Sequence, residues 1–145
     1  MSVRGIQIMA GILAATLAGA SFAAEIQPGL WELVVENRGL DSPDVTSEPI
    51  TISRCLTEED AQDPSGVLGG VANPGMADCT YTQRSFSGNT FRFKMRCDGS
   101  LGLQARGEVT YSAISMDGSI ISMANMDGQA IMLESKITAR RRGGC

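Results

Sequence analysis

Residues 79–99 read CTYTQRSFSGNTFRFKMRCDG, and the fold turns on them. Gly88-Asn89 lies between two runs rich in aromatic and β-branched side chains. A glycine at the first central position of a two-residue loop suits a type II′ turn, whose twist matches that of the strands it joins. Pairing Ser87 with Thr90 then sets Phe86 opposite Phe91, Thr82 opposite Met95 and Tyr81 opposite Arg96. On the second strand Phe91, Phe93, Met95 and Cys97 alternate with Arg92, Lys94 and Arg96, giving an apolar face and a basic stripe. Under that register Cys79 and Cys97 point to opposite faces, because side chains alternate.

Strand signals continue on both sides of this hairpin. In GLWELVVENRG (29–39) Trp31, Leu33 and Val35 share one face, while Glu32 and Glu36 take the other. Pro43 and Pro49 bracket a polar connection to a shorter strand, ITISRC (50–55). Thr57 can cap the segment TEEDAQ, whose acidic residues favour the positive end of a helix, so a short helix is predicted near 57–62. The loop from Gln62 to Asp78, full of Gly and Pro, is long for so small a domain, and loops of that kind are functional or tied down. Beyond Leu101 come LQARGEVTYS, SIISMAN and QAIMLESKITAR, separated by Asp117-Gly118 and Asp127-Gly128, which read as turns. The predicted fold is mainly β: about seven antiparallel strands as a meander, forming a curved sheet, half-barrel or up-and-down barrel. A sandwich is the alternative.

The beginning of the chain reads differently. Arg4 precedes the apolar run IMAGILAATLAGA, and Ser21, Phe22 and Ala23 supply a small-residue cleavage pattern. Residues 1–23 are therefore predicted to be a signal peptide cut before Ala24, leaving 24–145 as one β domain, periplasmic or secreted, with no transmembrane span after processing. The four cysteines, Cys55, Cys79, Cys97 and Cys145, then read as two disulfides, for which three pairings exist. Because the register separates Cys79 from Cys97, the preferred pairing is Cys55 with Cys79 and Cys97 with Cys145. Zinc is the competing use, but the chain has no CxxC pair and no histidine.

Composition narrows the function further. The formal net charge of −4 gives no global basis for nucleic-acid binding. Without histidine there is no Ser-His or Cys-His pair, and oxidised cysteines offer no thiolate. Glu58, Glu59 and Asp60 read as favourable charge at a helix start rather than as an acid and a base. No catalytic residue and no cofactor is predicted. Met76, Met95, Met116, Met123, Met126 and Met132 raise Cu(I) binding through thioethers as a minor alternative, against their ordinary role as adaptable core fillers. Calcium at Asp117 and Asp127 is weaker still, since each stands alone with a glycine.

PGLWE, CLTEEDA, CTYTQRSFSGNTFRFKMRC, GEVTYS, SMDGSI and SKITARRRGGC together resemble the exported bacterial domain-of-unknown-function family 3617, across essentially the whole of 24–145. That resemblance implies a small envelope protein with four cysteines and brings no catalytic residue with it. The ending RRRGGC departs from the family in lacking an acidic residue shortly before the last cysteine. Gly29-Leu30-Trp31 is also similar to the Gly-x-Trp opening of lipocalin-type barrels, in which the Trp packs against a basic residue of the last strand; Arg140 or Arg141 would be that residue. The expected function is binding. A small hydrophobic molecule or lipid would lie on a concave apolar face lined by Trp31, Leu33, Phe91, Phe93, Met95 and Met132. The alternative is a structural or protein-interaction module meeting an envelope protein, which a core packed by its own side chains would favour. The basic stripe would either meet anionic headgroups or simply protect a sheet edge.

Overall fold

The computed structural model describes residues 25–42, 44, 46–67 and 79–145. The predicted signal peptide and its cleavage point, Met76, and most of the loop between Gln62 and Asp78 lie outside these residues.

Seven strands make one antiparallel sheet: β1 (Gly29–Gly39), β2 (Ile50–Leu56), β3 (Cys79–Ser87), β4 (Thr90–Cys97), β5 (Gln104–Tyr111), β6 (Ser115–Met126) and β7 (Gln129–Gly143). Their spatial order is β2-β1-β7-β6-β5-β4-β3, so β3 to β7 form the predicted meander and β1 docks beside the last strand. The sheet stays open, with β2 and β3 at its two edges. Between β2 and β3 lies α1 (Glu58–Gln62). Thr57 caps it as predicted: its hydroxyl accepts the Asp60 N–H at 3.1 Å, and the Asp60 carboxylate accepts the Thr57 N–H at 2.9 Å. This reciprocal arrangement satisfies two backbone donors that the first helical turn leaves open. Residues 64–67 form a second helical turn.

Alternation determines which side chains are buried. Trp31, Leu33 and Val35 of β1, Phe91, Phe93 and Met95 of β4, Val109 and Tyr111 of β5, Met116 and Ile120 of β6, and Ile137 and Ala139 of β7 join one core cluster. Ile26 and Val67 lie across the same face. Trp31 is fully buried, and its indole N–H donates to the Gln27 carbonyl at 2.9 Å, so the aromatic ring is buried without leaving its polar edge unsatisfied. Its cross-strand neighbour is Arg141, whose Nε donates to the Pro28 carbonyl at 2.8 Å. Arg140 is on the opposite face and makes a bidentate pair with Asp117 at 2.9 and 3.1 Å.

Three expectations need correcting. The hairpin register holds at Ser87 with Thr90 and Phe86 with Phe91, but the ladder shifts at Thr82. The bulge there pairs Tyr81 with Met95, Thr80 with Arg96 and Cys79 with Cys97. One extra residue reverses the facing of everything beyond it. The shift lets Tyr81 turn inward, where it meets Phe91 and Phe93 edge-to-face with both centroid separations at 5.8 Å.

The second correction follows from the first. The disulfides are Cys79–Cys97, directly across the hairpin with Cα atoms 3.9 Å apart, and Cys55–Cys145, with Cα atoms 5.8 Å apart. The preferred pairing of Cys55 with Cys79 and Cys97 with Cys145 is not the one formed. The Cys55–Cys145 bridge fastens edge strand β2 to the end of β7, across β1.

Third, Asp117-Gly118 is not a turn. Both residues lie inside β6, with Asp117 opposite Thr138 and Gly118 opposite Ile137. A Cβ at Gly118 would come within 2.8 Å of Val109 Cγ2 and 2.9 Å of the Glu108 carbonyl, so the glycine serves close strand approach rather than reversal. The β5–β6 reversal occurs at Ser112, whose hydroxyl accepts the N–H groups of Ile114 and Ser115 at 3.2 and 3.0 Å. Asp127-Gly128 does turn the chain, with φ of 50° and 80° as a type I′ hairpin requires.

Candidate functional site

The face predicted to hold a ligand is filled by its own side chains. Trp31 and Phe91 are completely buried, and Leu33 and Phe93 nearly so. The space beside Trp31, Leu33, Leu56 and Met116 amounts to about 10 Å³, room for no more than a single water. Of the six predicted lining residues, only Met132 belongs to the other face of the sheet, where it is half-buried.

That outer face carries the larger grooves. Register places Lys94, Arg106, Ile121 and Glu134 in one row across β4, β5, β6 and β7. Arg96, Gln104, Met123 and Met132 form the next row. A groove of about 470 Å³ lies over these two rows, bordered by Lys94, Arg96, Arg106, Ile121, Met123 and Met132, and it also reaches Met95 and Ala105. A second groove of about 460 Å³ shares Lys94, Arg106 and Ile121 and continues toward Arg92 and Glu108. Both volumes fall within the range of small-molecule sites.

Charge is distributed unevenly over this surface. Arg92 pairs with Glu108 at 2.5 Å, Arg38 pairs with Glu134, and Ser119 donates to Glu134 at 3.1 Å. These bonds hold the Glu134 carboxyl below its ordinary carboxylate range. A third groove, about 570 Å³ between β1 and β7, is bordered by Arg38 and Glu134 and is thus internally compensated. Lys94, Arg96 and Arg106 are different: among the described residues none of them makes an ion pair or a side-chain hydrogen bond. Lys94 moreover stands directly opposite Arg106. Like charges in that position destabilise a sheet.

The sequence identified Lys94 and Arg96 as outward-facing and Met132 as a lining residue, but not Arg106 or Ile121. The signal that could have added Arg106 is the alternation of QARGEV, in which Gln104, Arg106 and Glu108 share a polar face. Its position opposite Lys94 depends on the β4–β5 register. Met123 and Met132 are cross-strand partners, whereas Met116 and Met126 lie on the core side of β6. Among the described residues no group of three or more Asp, Glu or Cys is placed to hold a metal ion, and no helix is long and apolar enough to cross a membrane.

The model of the family described as protein of unknown function DUF3617 matches residues 26–145. The chain belongs to that family. Comparison with curated proteins and with solved structures finds no match. The family match covers both edge strands, the four cysteines and all of the groove residues.

Proposed function

We propose that this chain is a non-catalytic binding protein, exported to the periplasm or secreted, and that it holds a small amphiphile on the outer face of its sheet. One observation carries the reading: the groove over β4 to β7 sets apolar Ile121, Met123 and Met132 beside Lys94, Arg96 and Arg106, with which no described carboxylate pairs. A packed core face speaks for placing the ligand there and not among Trp31, Leu33, Phe91 and Phe93. Two disulfides support an oxidising compartment. Support for a non-catalytic role comes from the lack of histidine, from four oxidised cysteines and from the Asp60 carboxylate being committed to capping α1. Native mass spectrometry of protein purified from a bacterial periplasm tests the proposal. A copurifying amphiphile is the expected result, and a clean apo mass counts against it.

A second reading, a protein-interaction module, is favoured by the β6–β7 hairpin end, where Met126, Ile131 and Leu133 are exposed. Clustered exposed apolar side chains of this kind mark contact surfaces. The packed core also fits this alternative. Among the described residues, Met123 and Met132 are the methionines that stand as cross-strand partners for Cu(I), and titration with Cu(I) that leaves stability and spectrum unchanged rules it out.

A further inference from the structure

We infer that the amphiphile is an anion: Lys94, Arg96 and Arg106 take a carboxylate or phosphate headgroup while its single apolar chain lies along Ile121, Met123 and Met132. This rests on the proposal that the outer groove is a binding site, and it adds the charge, the valence of the chain and the orientation. Two independent observations lead to it. The first is charge complementarity. On a chain of net negative charge, three cations border one groove, and no described carboxylate is bonded to any of them. The second is the direct Lys94–Arg106 juxtaposition. Natural sheets put opposite charges or small polar pairs in such positions, and a local rule broken without internal compensation points to a site whose partner comes from outside. Arg92, two residues from Lys94, shows the ordinary solution through its pair with Glu108.

The arrangement also gives an orientation. In the row of Arg96, the order across the strands is Arg96, Gln104, Met123, Met132; in the row of Lys94 it is Lys94, Arg106, Ile121. The Arg96 row thus passes from a cation on β4 through neutral Gln104 on β5 to apolar Met123 and Met132 on β6 and β7. The Lys94 row passes from cations on β4 and β5 to apolar Ile121 on β6, beyond which Glu134 of β7 is already bonded to Arg38 and Ser119. Guanidinium and ammonium groups on the first two strands would bind anionic oxygens through charge-assisted hydrogen bonds. Thioethers and Ile121 on the next two strands would cover a flexible hydrocarbon chain. The headgroup lies over β4–β5 and the chain crosses toward β7.

Calorimetric titration with decanoate and with decan-1-ol, which share a chain and differ in headgroup charge, tests this. Decanoate binding about tenfold or more tighter than decan-1-ol is the expected result. The double variant Lys94→Gln/Arg106→Gln should lose that preference and keep the affinity for decan-1-ol, whereas Met123→Ser should weaken both ligands. All three positions are exposed, and circular dichroism confirms that each variant is folded. Equal affinity for the two ligands overturns the anionic headgroup and leaves the binding site standing. Binding of neither ligand overturns both. Inorganic phosphate binding as tightly as decanoate, or capture only on phosphatidylglycerol vesicles, also overturns the inference, because each removes the single apolar chain from recognition.

Discussion

Replacing Cys55 and Cys145 by serine removes a cross-link that spans 90 residues, whereas replacing Cys79 and Cys97 removes one that spans 18. A bridge that closes a longer stretch removes more freedom from the unfolded chain, and the chain-entropy relation gives about 4.6 kcal/mol for the first and about 3.2 kcal/mol for the second. The two losses differ by about 1.4 kcal/mol, which urea denaturation resolves when both variants share one m-value. C55S/C145S should therefore be the less stable of the two. Its effect should also be uneven. Cys55 lies on the edge strand β2, which has only β1 beside it, so hydrogen exchange in β2 should rise toward that of a frayed element while β6 and β7 stay protected. The same variants check the pairing, since each should show no free thiol by thiol titration without reductant. Two free thiols in C55S/C145S would refute the assigned bridges, and a larger loss in C79S/C97S would refute the entropic ranking.

Other consequences follow from single residues. Gly118→Val forces a side chain to within 2.8 Å of Val109 and 2.9 Å of the Glu108 backbone oxygen; it should cost about 1–3 kcal/mol in thermal unfolding, and an unchanged midpoint contradicts the close β5–β6 approach. Burial, followed by the charge of Asp63, pushes the Tyr81 phenol up to about 12, from an ordinary 10.0. A raised acid favours its neutral form in the folded state, so stability is full below pH 10 and falls as pH rises from there toward 12. Tyr81→Phe should remove most of that alkaline decline, and an unaltered pH profile would show that the phenol is not buried. Arg106→Gln relieves the repulsion with Lys94 and should raise the melting temperature slightly; a lowered one contradicts the like-charge reading of that pair.

The sequence made the strands legible because burial on one face imposes alternation, and GLWELVV and TFRFKMRC carry it without interruption. It made the Thr57 cap legible because a local hydrogen bond needs only local residues. The bulge at Thr82 was the decisive miss. Tyr81 and Phe86 are five residues apart, which unbroken alternation puts on opposite faces, yet Phe86 faces the core side opposite Phe91 and Tyr81 packs on Phe91 as well. The gain from packing both rings against Phe91 was the available signal, and heeding it would have put Cys79 beside Cys97. Asp117-Gly118 misled because an Asp-Gly pair is a turn only if nothing else claims it. Here Arg140 binds Asp117, and Val109 packs where a side chain at Gly118 would stand.

The groove was legible in parts. Lys94 and Arg96 show their facing within one strand, but their meeting with Arg106, Ile121 and Met132 depends on three consecutive registers. Those registers are set by the connections between strands, in which Gly99 and Gly102 adopt positive φ between β4 and β5. The apolar face looked like a ligand cradle because alternation says which side chains point inward, not whether they leave room between them.

A ¹H–¹⁵N correlation spectrum recorded during titration with decanoate asks the central question, namely which face of the sheet binds. Saturable shifts of the Lys94, Arg96, Arg106, Met123 and Met132 amides are expected, while the Trp31 indole N–H, held by the Gln27 carbonyl, stays in place. Shifts of the Trp31 indole and of the Leu33 and Phe91 amides, with the groove residues unmoved, would put the ligand in the core face and contradict the proposal.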